Sequence, residues 1–280
     1  MISDTRNIKT LLAHAVRTLA TDSTQLDAEV LLAACLGKPR SYLHAWPERC
    51  VEPEQQAQFM AWLQRRATGE PVAHLTGRRE FWSLDLTVTA DTLIPRPETE
   101  TLVALALEKI PSDAGVCIAD LGTGTGAIAL AIASERPRSE IIATDSSARA
   151  LEVARKNARR LDIRNIRFAQ GTWCAALPDR LFDFILSNPP YIAESDPHLE
   201  AGDVRHEPHS ALVAGPQGLD ELQQLVPCAR DYLADNGWLV VEHGYDQGVQ
   251  VRQLFSKSGY RDTSDHMDDT GLSRVTMGRK

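Results

Sequence analysis

Hydrophobic and polar positions along the chain follow two rhythms, one before residue 85 and one after it. In the first stretch Leu11, Leu12, Ala15, Val16 and Leu19 recur at helical spacing, as do Ala28, Leu31, Leu32 and Cys35, and then Phe59, Met60, Leu63 and Ala67. Pro39, Pro47, Pro53 and Pro71 punctuate these runs, and Gly37 stands where a left-handed helix cap belongs. The pattern predicts a small helical bundle over residues 1–84. Asp85-Leu-Thr-Val-Thr89 then alternates with a period of two, which predicts a short strand or hairpin arm within a linker over residues 85–100.

From residue 101 apolar strand runs alternate with amphipathic helices. Helix Thr101–Ile110 leads to strand 116–121, helix 127–135, strand 140–144, helix 147–161 and strands 165–169 and 182–187. The pattern resumes with helix Gly218–Leu233, strand 237–242, helix 246–258 and two strands near 260–265 and 272–279. This order predicts an α/β fold with a doubly wound parallel sheet over residues 101–280. Ligands of such sheets bind beyond the carboxyl ends of the strands, where the winding reverses. The loop 192–216, rich in Pro, His, Asp, Glu and Gly, is placed to cover such a site as a lid.

Two segments at predicted carboxyl ends carry chemistry. Val116 to Leu121 runs into Gly122-Thr123-Gly124-Thr125-Gly126 and then a helix, so the turn tolerates positive φ and the helix start offers N–H groups and a partial positive charge. A nucleotide-like cofactor is the expected occupant; the spacing suits a nicotinamide dinucleotide or S-adenosylmethionine equally. Asp145 ends the next strand, where a carboxylate would accept from ribose hydroxyls or would cap the following helix. The second segment, Asn188-Pro189-Pro190-Tyr191, follows the apolar run 182–187. Its two prolines remove two N–H donors, so the turn presents carbonyl oxygens without competing donors. Asn188 adds a side-chain carbonyl and Tyr191 a flat ring, a combination suited to an NH2 group on a planar system.

Composition narrows the classes. The 280 residues, 43% of them hydrophobic, are enough for one large domain or two ordinary ones. Five cysteines form an odd set with no CxxC pair, which predicts reduced thiols in a cytoplasmic protein, without a disulfide framework or structural zinc. The polar start Met1 to Asn7 and the absence of a long apolar run predict no membrane span. Residues 1–85 carry as many basic as acidic side chains, so the whole net charge of −8 sits in residues 86–280, and nonspecific attraction to nucleic acid is expected to be poor. The basic cluster Arg155, Lys156, Arg159, Arg160 and Arg164 reads as a solvated helix face. His198, His206, Glu207 and His209 lack a metal-ligand template and read as a solvated loop. Arg96, in Ile94-Pro-Arg-Pro97, is read as a surface arginine beside a helix start or as a weaker site candidate.

The glycine turn, the acidic end of the second strand and the Asn-Pro-Pro-Tyr turn together resemble class I S-adenosylmethionine methyltransferases acting on a planar nitrogen. Over most of its length the chain resembles the HemK-type protein-(glutamine-N5) methyltransferases of peptide chain release factors. Gly69 to Gly77, Glu80 to Ser83, Thr92 to Glu100, Asp120 to Leu130, Ser187 to Ile192 and Val241-Glu-His-Gly244 carry the resemblance. It implies methyl transfer from S-adenosylmethionine, leaving S-adenosylhomocysteine, to the glutamine of a Gly-Gly-Gln loop in class 1 release factors. It also implies that Gly122 to Gly126 cradle the methionyl part, that Asp145 holds the ribose and that Trp173 lies beside the adenine. Asn188 would straddle cofactor and substrate, Asn188 and Pro189 would accept the two amide hydrogens, and Pro190 and Tyr191 would complete the slot. Thr172 departs from the acid often found before that tryptophan, so an adenine contact from this side chain is not implied. The N-terminal bundle becomes the expected docking surface. Two further readings share these motifs. An amino-directed DNA methyltransferase has the same tetrapeptide but needs a strong grip on phosphate, and a nicotinamide-dependent oxidoreductase has the same glycine turn.

Overall fold

A computed structural model describes residues 7–21 and 23–280; the polar start Met1 to Arg6 lies outside the described residues. The chain divides into two compact units, Met1–Arg78 with Gly202–His206, and Arg79–Ala201 with Glu207–Lys280.

The first unit holds α1 (Ile8–Thr18), α2 (Thr24–Leu36), α3 (Arg40–Ala45), α4 (Pro53–Ala67) and α5 (Val72–Thr76). Asn7 caps α1 by accepting from the Thr10 N–H at 2.8 Å, Gly37 ends α2 at φ 60°, and Pro53 stands in the first turn of α4. Leu11, Ala15, Leu31, Leu32, Leu43, Phe59 and Leu63 form its core, while Val16 stays exposed, so the buried stripe is narrower than the periodic one. A polar knot lies in the same unit. The buried Arg66 donates to Asp27 at 2.8 Å and to Asp203 at 2.6 Å, which holds residues 202–206 within this unit.

β1 (Arg78–Phe81), all but its first residue in the second unit, pairs with β2 (Leu84–Thr87) as a two-stranded sheet. Trp82 and Ser83 join them at φ 51° and 59°, the left-handed geometry of a tight hairpin turn. Alternation in the sequence predicts the second arm, but Trp-Ser is not a turn signature, so the first arm is not predicted. Then follow α6 (Thr99–Lys109), β3 (Cys117–Leu121), α7 (Ala127–Glu135), β4 (Glu140–Asp145), α8 (Ala148–Arg160), β5 (Ile166–Gln170), β6 (Phe182–Ser187), α9 (Asp220–Tyr232), β7 (Leu233–Glu242), α10 (Gly248–Lys257), β8 (Arg261–Met267) and β9 (Ser273–Arg279).

The main sheet has the order β5-β4-β3-β6-β7-β9-β8, parallel from β5 to β7 and antiparallel through β9 and β8. The inner strands are covered on both faces, which accounts for their continuous apolar runs. The winding runs from β3 outward through β4 and β5, then returns to β6 on the other side of β3. Leu121 is in register with both Thr144 and Ser187. The glycine turn, Asp145 and Asn188 therefore emerge side by side at the switch point.

Asn157, fully buried on α8, braces this end. Its amide donates to the carbonyls of Thr87 and Thr125, each at 3.0 Å, and accepts from the Thr87 N–H at 2.8 Å. Asn157→Ala is expected to destabilise the protein by about 2–3 kcal/mol, because three backbone groups lose their partner inside the fold. The loss is read as a lower urea midpoint at unchanged slope. A change below about 0.5 kcal/mol would show that the brace is dispensable. Among the described residues no helix is long and apolar enough to cross a membrane.

Candidate active site

A cavity of about 560 Å³ opens at the carboxyl ends of β3, β4 and β6. Gly122 to Thr125, Asp145, Thr172, Trp173, Asn188 and Pro190 line it, with Arg96 and Thr99 ahead of and within α6, Glu221 on α9, and Pro208, Ser210 and Ala211 from the long loop. The volume lies in the range of sites for small cofactors.

The glycine turn owes its shape to positive φ at Gly122, Gly124 and Gly126, 76°, 55° and 86°. A Cβ at Gly122 would stand 3.3 Å from the Trp173 ring, so the absent side chain also admits that ring. Within the turn itself most N–H groups are already engaged. Gly122 and Thr123 both donate to the Thr144 carbonyl (2.9 and 2.8 Å), Gly124 donates to Asp145 Oδ2 (2.9 Å), and Gly126 donates to Thr123 O (2.8 Å). The end of β4 takes three of these donors and the turn itself takes the fourth. Beneath the turn the fully buried Asp120 accepts from Thr123 Oγ1 at 2.6 Å, while its Oδ1 has no partner among the described residues. Burial pushes its carboxyl up to about 7, against the pull of Thr123 and of the Ala129 N–H. Burial also raises Asp145 above its ordinary value, against N–H groups of Ser147 and Gly124.

These features make an electronegative rim. Arg96 is paired with Glu207 and Arg149 with Asp91, whereas Asp145 and Glu221 face no cation among the described residues. A sulfonium with an ammonium group is matched by carbonyls and carboxylates.

Asp145 is not the cap of α8; Ser147 is, accepting from Ala150 at 3.2 Å, while Asp145 Oδ1 accepts from the Ser147 N–H at 2.8 Å. The tetrapeptide divides in two. Asn188 and Pro190 line the cavity, whereas the buried Pro189 and the half-buried Tyr191 are absent from the lining. Asn188 Nδ2 donates to Thr99 Oγ1 at 3.1 Å, which leaves its carbonyl oxygen for the cavity. The Tyr191 hydroxyl donates to Glu242 Oε1 at 3.1 Å, and Gln247 holds the Tyr191 carbonyl at 3.0 Å. Burial and the Glu242 charge raise the phenol far above its ordinary value, so it stays a donor. Burial pushes the Glu242 carboxyl up to about 7, opposed by the nearby Thr99 hydroxyl, by the Tyr191 hydrogen bond and by the charge of Arg274, while its Oε2 has no hydrogen-bond partner among the described residues.

The far wall is a single 3-10 turn, Trp173–Ala176. Trp173 adopts φ 45° and donates through Nε1 to Glu221 at 2.8 Å. Its neighbour Cys174 is bonded to Cys228 on α9, with Cα atoms 6.3 Å apart. The expectation of five reduced thiols is therefore corrected: Cys35, Cys50 and Cys117 are free, but residues 54 apart in sequence meet where this turn packs on α9. The solvated-loop reading fails at Glu207, whose buried carboxylate accepts from Ile94 N at 2.9 Å and from Arg96. Among the described residues no cluster of His, Cys, Asp or Glu is arranged to hold a metal. In the basic cluster, Arg160 pairs with Asp85, Arg164 with Asp162, and Arg155 lies over Phe168.

Thr99, Glu221 and Glu242 escape a reading of the motifs. Glu242 had a usable signal, a carboxylate closing an apolar strand as Asp145 does. Thr99 and Glu221 lie on helices whose helical pattern carries no mark of the cavity.

The chain is similar in fold to a methyltransferase from Pyrococcus furiosus (18% identity, TM-score 0.54, covering 82% of this chain and 99% of that one). It is likewise similar to the ribosomal protein L11 methylase of Lactobacillus delbrueckii subsp. bulgaricus (20% identity, TM-score 0.51, covering 68% and 82%). Family models for the methyltransferase small domain and the PrmC N-terminal domain match residues 99–204 and 10–77. Fold and family models together thus define the class, a methyltransferase domain with a doubly wound α/β sheet and a helical N-terminal domain. Release factor glutamine methyltransferases of Aliivibrio fischeri and Escherichia coli K12 are each 49% identical to it, over 98% and 93% of this chain and 97% and 94% of theirs. That of Pseudomonas aeruginosa is 51% identical over 92% of this chain and 93% of its own. The chain belongs to the release factor glutamine methyltransferase family.

Proposed function

We propose that this protein methylates the side-chain amide nitrogen of the glutamine in the Gly-Gly-Gln loop of class 1 release factors, using S-adenosylmethionine. One observation carries the reading: Asn188 lines the same cavity as the glycine turn, and its amide nitrogen is committed to Thr99, which leaves the side-chain oxygen as acceptor. The residues present fit the cofactor. The carbonyl edge of the turn suits the methionyl ammonium, Asp145 the ribose, and Trp173 with Glu221 the adenine end. When bound, S-adenosylmethionine supplies an electrophilic methyl group on a positive sulfur.

A carboxamide nitrogen is a poor nucleophile because its lone pair is delocalised, and no side chain deprotonates the neutral amide at pH 7. The protein's own contribution is positioning and charge. Asn188 Oδ1 and the Pro189 carbonyl accept the two N–H hydrogens, which orients the nitrogen and favours the positive charge it gains during attack. Pro190 forms the wall beside it. Tyr191, committed to Glu242 through its hydroxyl, is proposed to lay its ring flat on the amide.

The helical N-terminal unit is proposed to dock the release factor, since a partner of that size needs a surface beyond the cavity. Amino-directed DNA methylation is not favoured: the −8 charge and the paired or solvated arginines of α8 offer no phosphate track. The test is mass spectrometry after incubation with cofactor and a whole release factor, a Gly-Gly-Gln peptide or duplex DNA. A gain of about 14 Da on the loop glutamine, faster in the whole factor than in the peptide, is expected. Methylated DNA with an unmodified factor would overturn the reading, and equal rates for factor and peptide would overturn the docking role.

A further inference from the structure

We infer that Glu221 reads the exocyclic amino group of the cofactor's adenine and so excludes purines that carry an oxygen there, an inference that rests on the cofactor proposed above. Asp91, Asp145 and Glu221 are the carboxylates among the residues lining the cavity. Asp91 is paired with Arg149, and Asp145 already accepts from the N–H groups of Gly124 and Ser147. Glu221, in the first turn of α9, is differently placed. Its Oε2 accepts from Trp173 Nε1 at 2.8 Å, and Oε1 has no hydrogen-bond partner among the described residues, which leaves a free acceptor on a residue that lines the cavity. The Trp173 ring reaches the glycine turn, where a Cβ at Gly122 would stand 3.3 Å from it. Indole and carboxylate thus border one cavity as a bonded pair.

The hydrogen bond fixes the polarity of the pair. An indole has one donor and no acceptor, and a carboxylate has acceptors alone. With its N–H spent on Glu221, Trp173 contributes a flat apolar face, and the pair offers an acceptor without a donor of its own. A planar heterocycle bearing an NH2 group suits both, whereas a carbonyl oxygen at the same place would meet the carboxylate with no proton between them. The flat face beside the carboxylate favours the amino group of a ring over the methionyl ammonium. The pair is also held still. Cys174, next to Trp173, is bonded to Cys228 on α9, and Leu222, next to Glu221, is fully buried in the cluster that contains Cys174 and Leu177. Two residues 48 apart in the chain therefore meet on elements joined covalently and by packing. An acceptor held this way discriminates because it does not turn aside for a wrong partner.

The test titrates wild type, Glu221→Gln, Glu221→Ala and Trp173→Phe by calorimetry with S-adenosylhomocysteine and with S-inosylhomocysteine, which has a carbonyl oxygen in place of the amino group. Wild type is expected to bind the adenosyl compound about 10- to 100-fold more tightly. In Glu221→Gln the carboxamide can turn its NH2 to the carbonyl, so the two affinities should come to within about threefold of each other, part of the change arriving as tighter binding of the inosyl compound. Glu221→Ala removes attraction and repulsion together and should flatten the preference as well. Trp173→Phe keeps a flat ring and the carboxylate, so both ligands should weaken alike with the preference retained. A wild-type preference below about threefold, or equal losses for both ligands in the Glu221 variants, overturns the inference; equal losses mark a residue that only steadies Trp173. If the Glu221 variants do not fold, Trp173→Phe decides, supporting the inference with the preference retained and overturning it with the preference lost. A wild type that binds neither ligand overturns the cofactor reading and this inference with it; tight adenosyl binding with an unchanged preference in the Glu221 variants overturns this inference alone.

Discussion

Asn188→Ala is expected to lower kcat for glutamine methylation by about 10²- to 10³-fold. Removing one preorganised acceptor from the reacting group is expected to cost about 2.7–4 kcal/mol of transition-state stabilisation, the size measured for removing one oxyanion-hole donor. Stability should fall by only about 1 kcal/mol, because within the protein the side chain gives up a single hydrogen bond, the one to Thr99 at 3.1 Å. The separation of the two effects is the point of the experiment. Stopped assays at saturating cofactor and release factor read the rate, and urea unfolding reads the stability. A rate within about tenfold of wild type, with normal cofactor binding, would remove Asn188 from the mechanism.

Asp145→Ala should weaken S-adenosylmethionine binding by about 10²- to 10³-fold while altering kcat at saturation far less. Two ribose hydroxyls donating to a partly buried carboxylate contribute about 1.5–3 kcal/mol each. The carboxylate also holds the glycine turn through Gly124 N–H at 2.9 Å and the start of α8 through Ser147 N–H at 2.8 Å. Asp145→Asn keeps one acceptor and the shape, so its loss should be smaller, about tenfold. Because burial raises this carboxyl, affinity should weaken as pH falls through its titration and recover above it. Calorimetric titration measures both variants. An unchanged Kd in Asp145→Ala would limit the residue to bracing the turn.

Much of the site was legible because its parts are local. Gly122 to Gly126 and Asn188 to Tyr191 are continuous segments whose backbone limits follow from glycine and proline themselves. Asp145 ends an apolar run, and alternating strand and helix periods place all three at carboxyl ends. The direction of the hydrogen bonds was not legible. Nothing local tells that the Thr144 carbonyl and Asp145 take the glycine amides, or that Tyr191 turns its hydroxyl to Glu242. The same holds for Trp82-Ser83, which turns a hairpin without the residues that announce one. In the N-terminal unit, Asp27 and Arg66 carry no spacing signal because their meeting depends on how α2 packs on α4.

By itself the sequence determined the succession of elements, the change of character near residue 85 and the two turns that can hold a cofactor and a planar amide, since backbone limits and hydrophobic period act within a few residues. Tertiary structure alone decided the partnership of Thr99 and Glu242 with the tetrapeptide, the Cys174–Cys228 bond and the electronegative rim of the turn. Each depends on strand register or helix packing between residues far apart in the chain, and a donor points where the nearest buried acceptor stands.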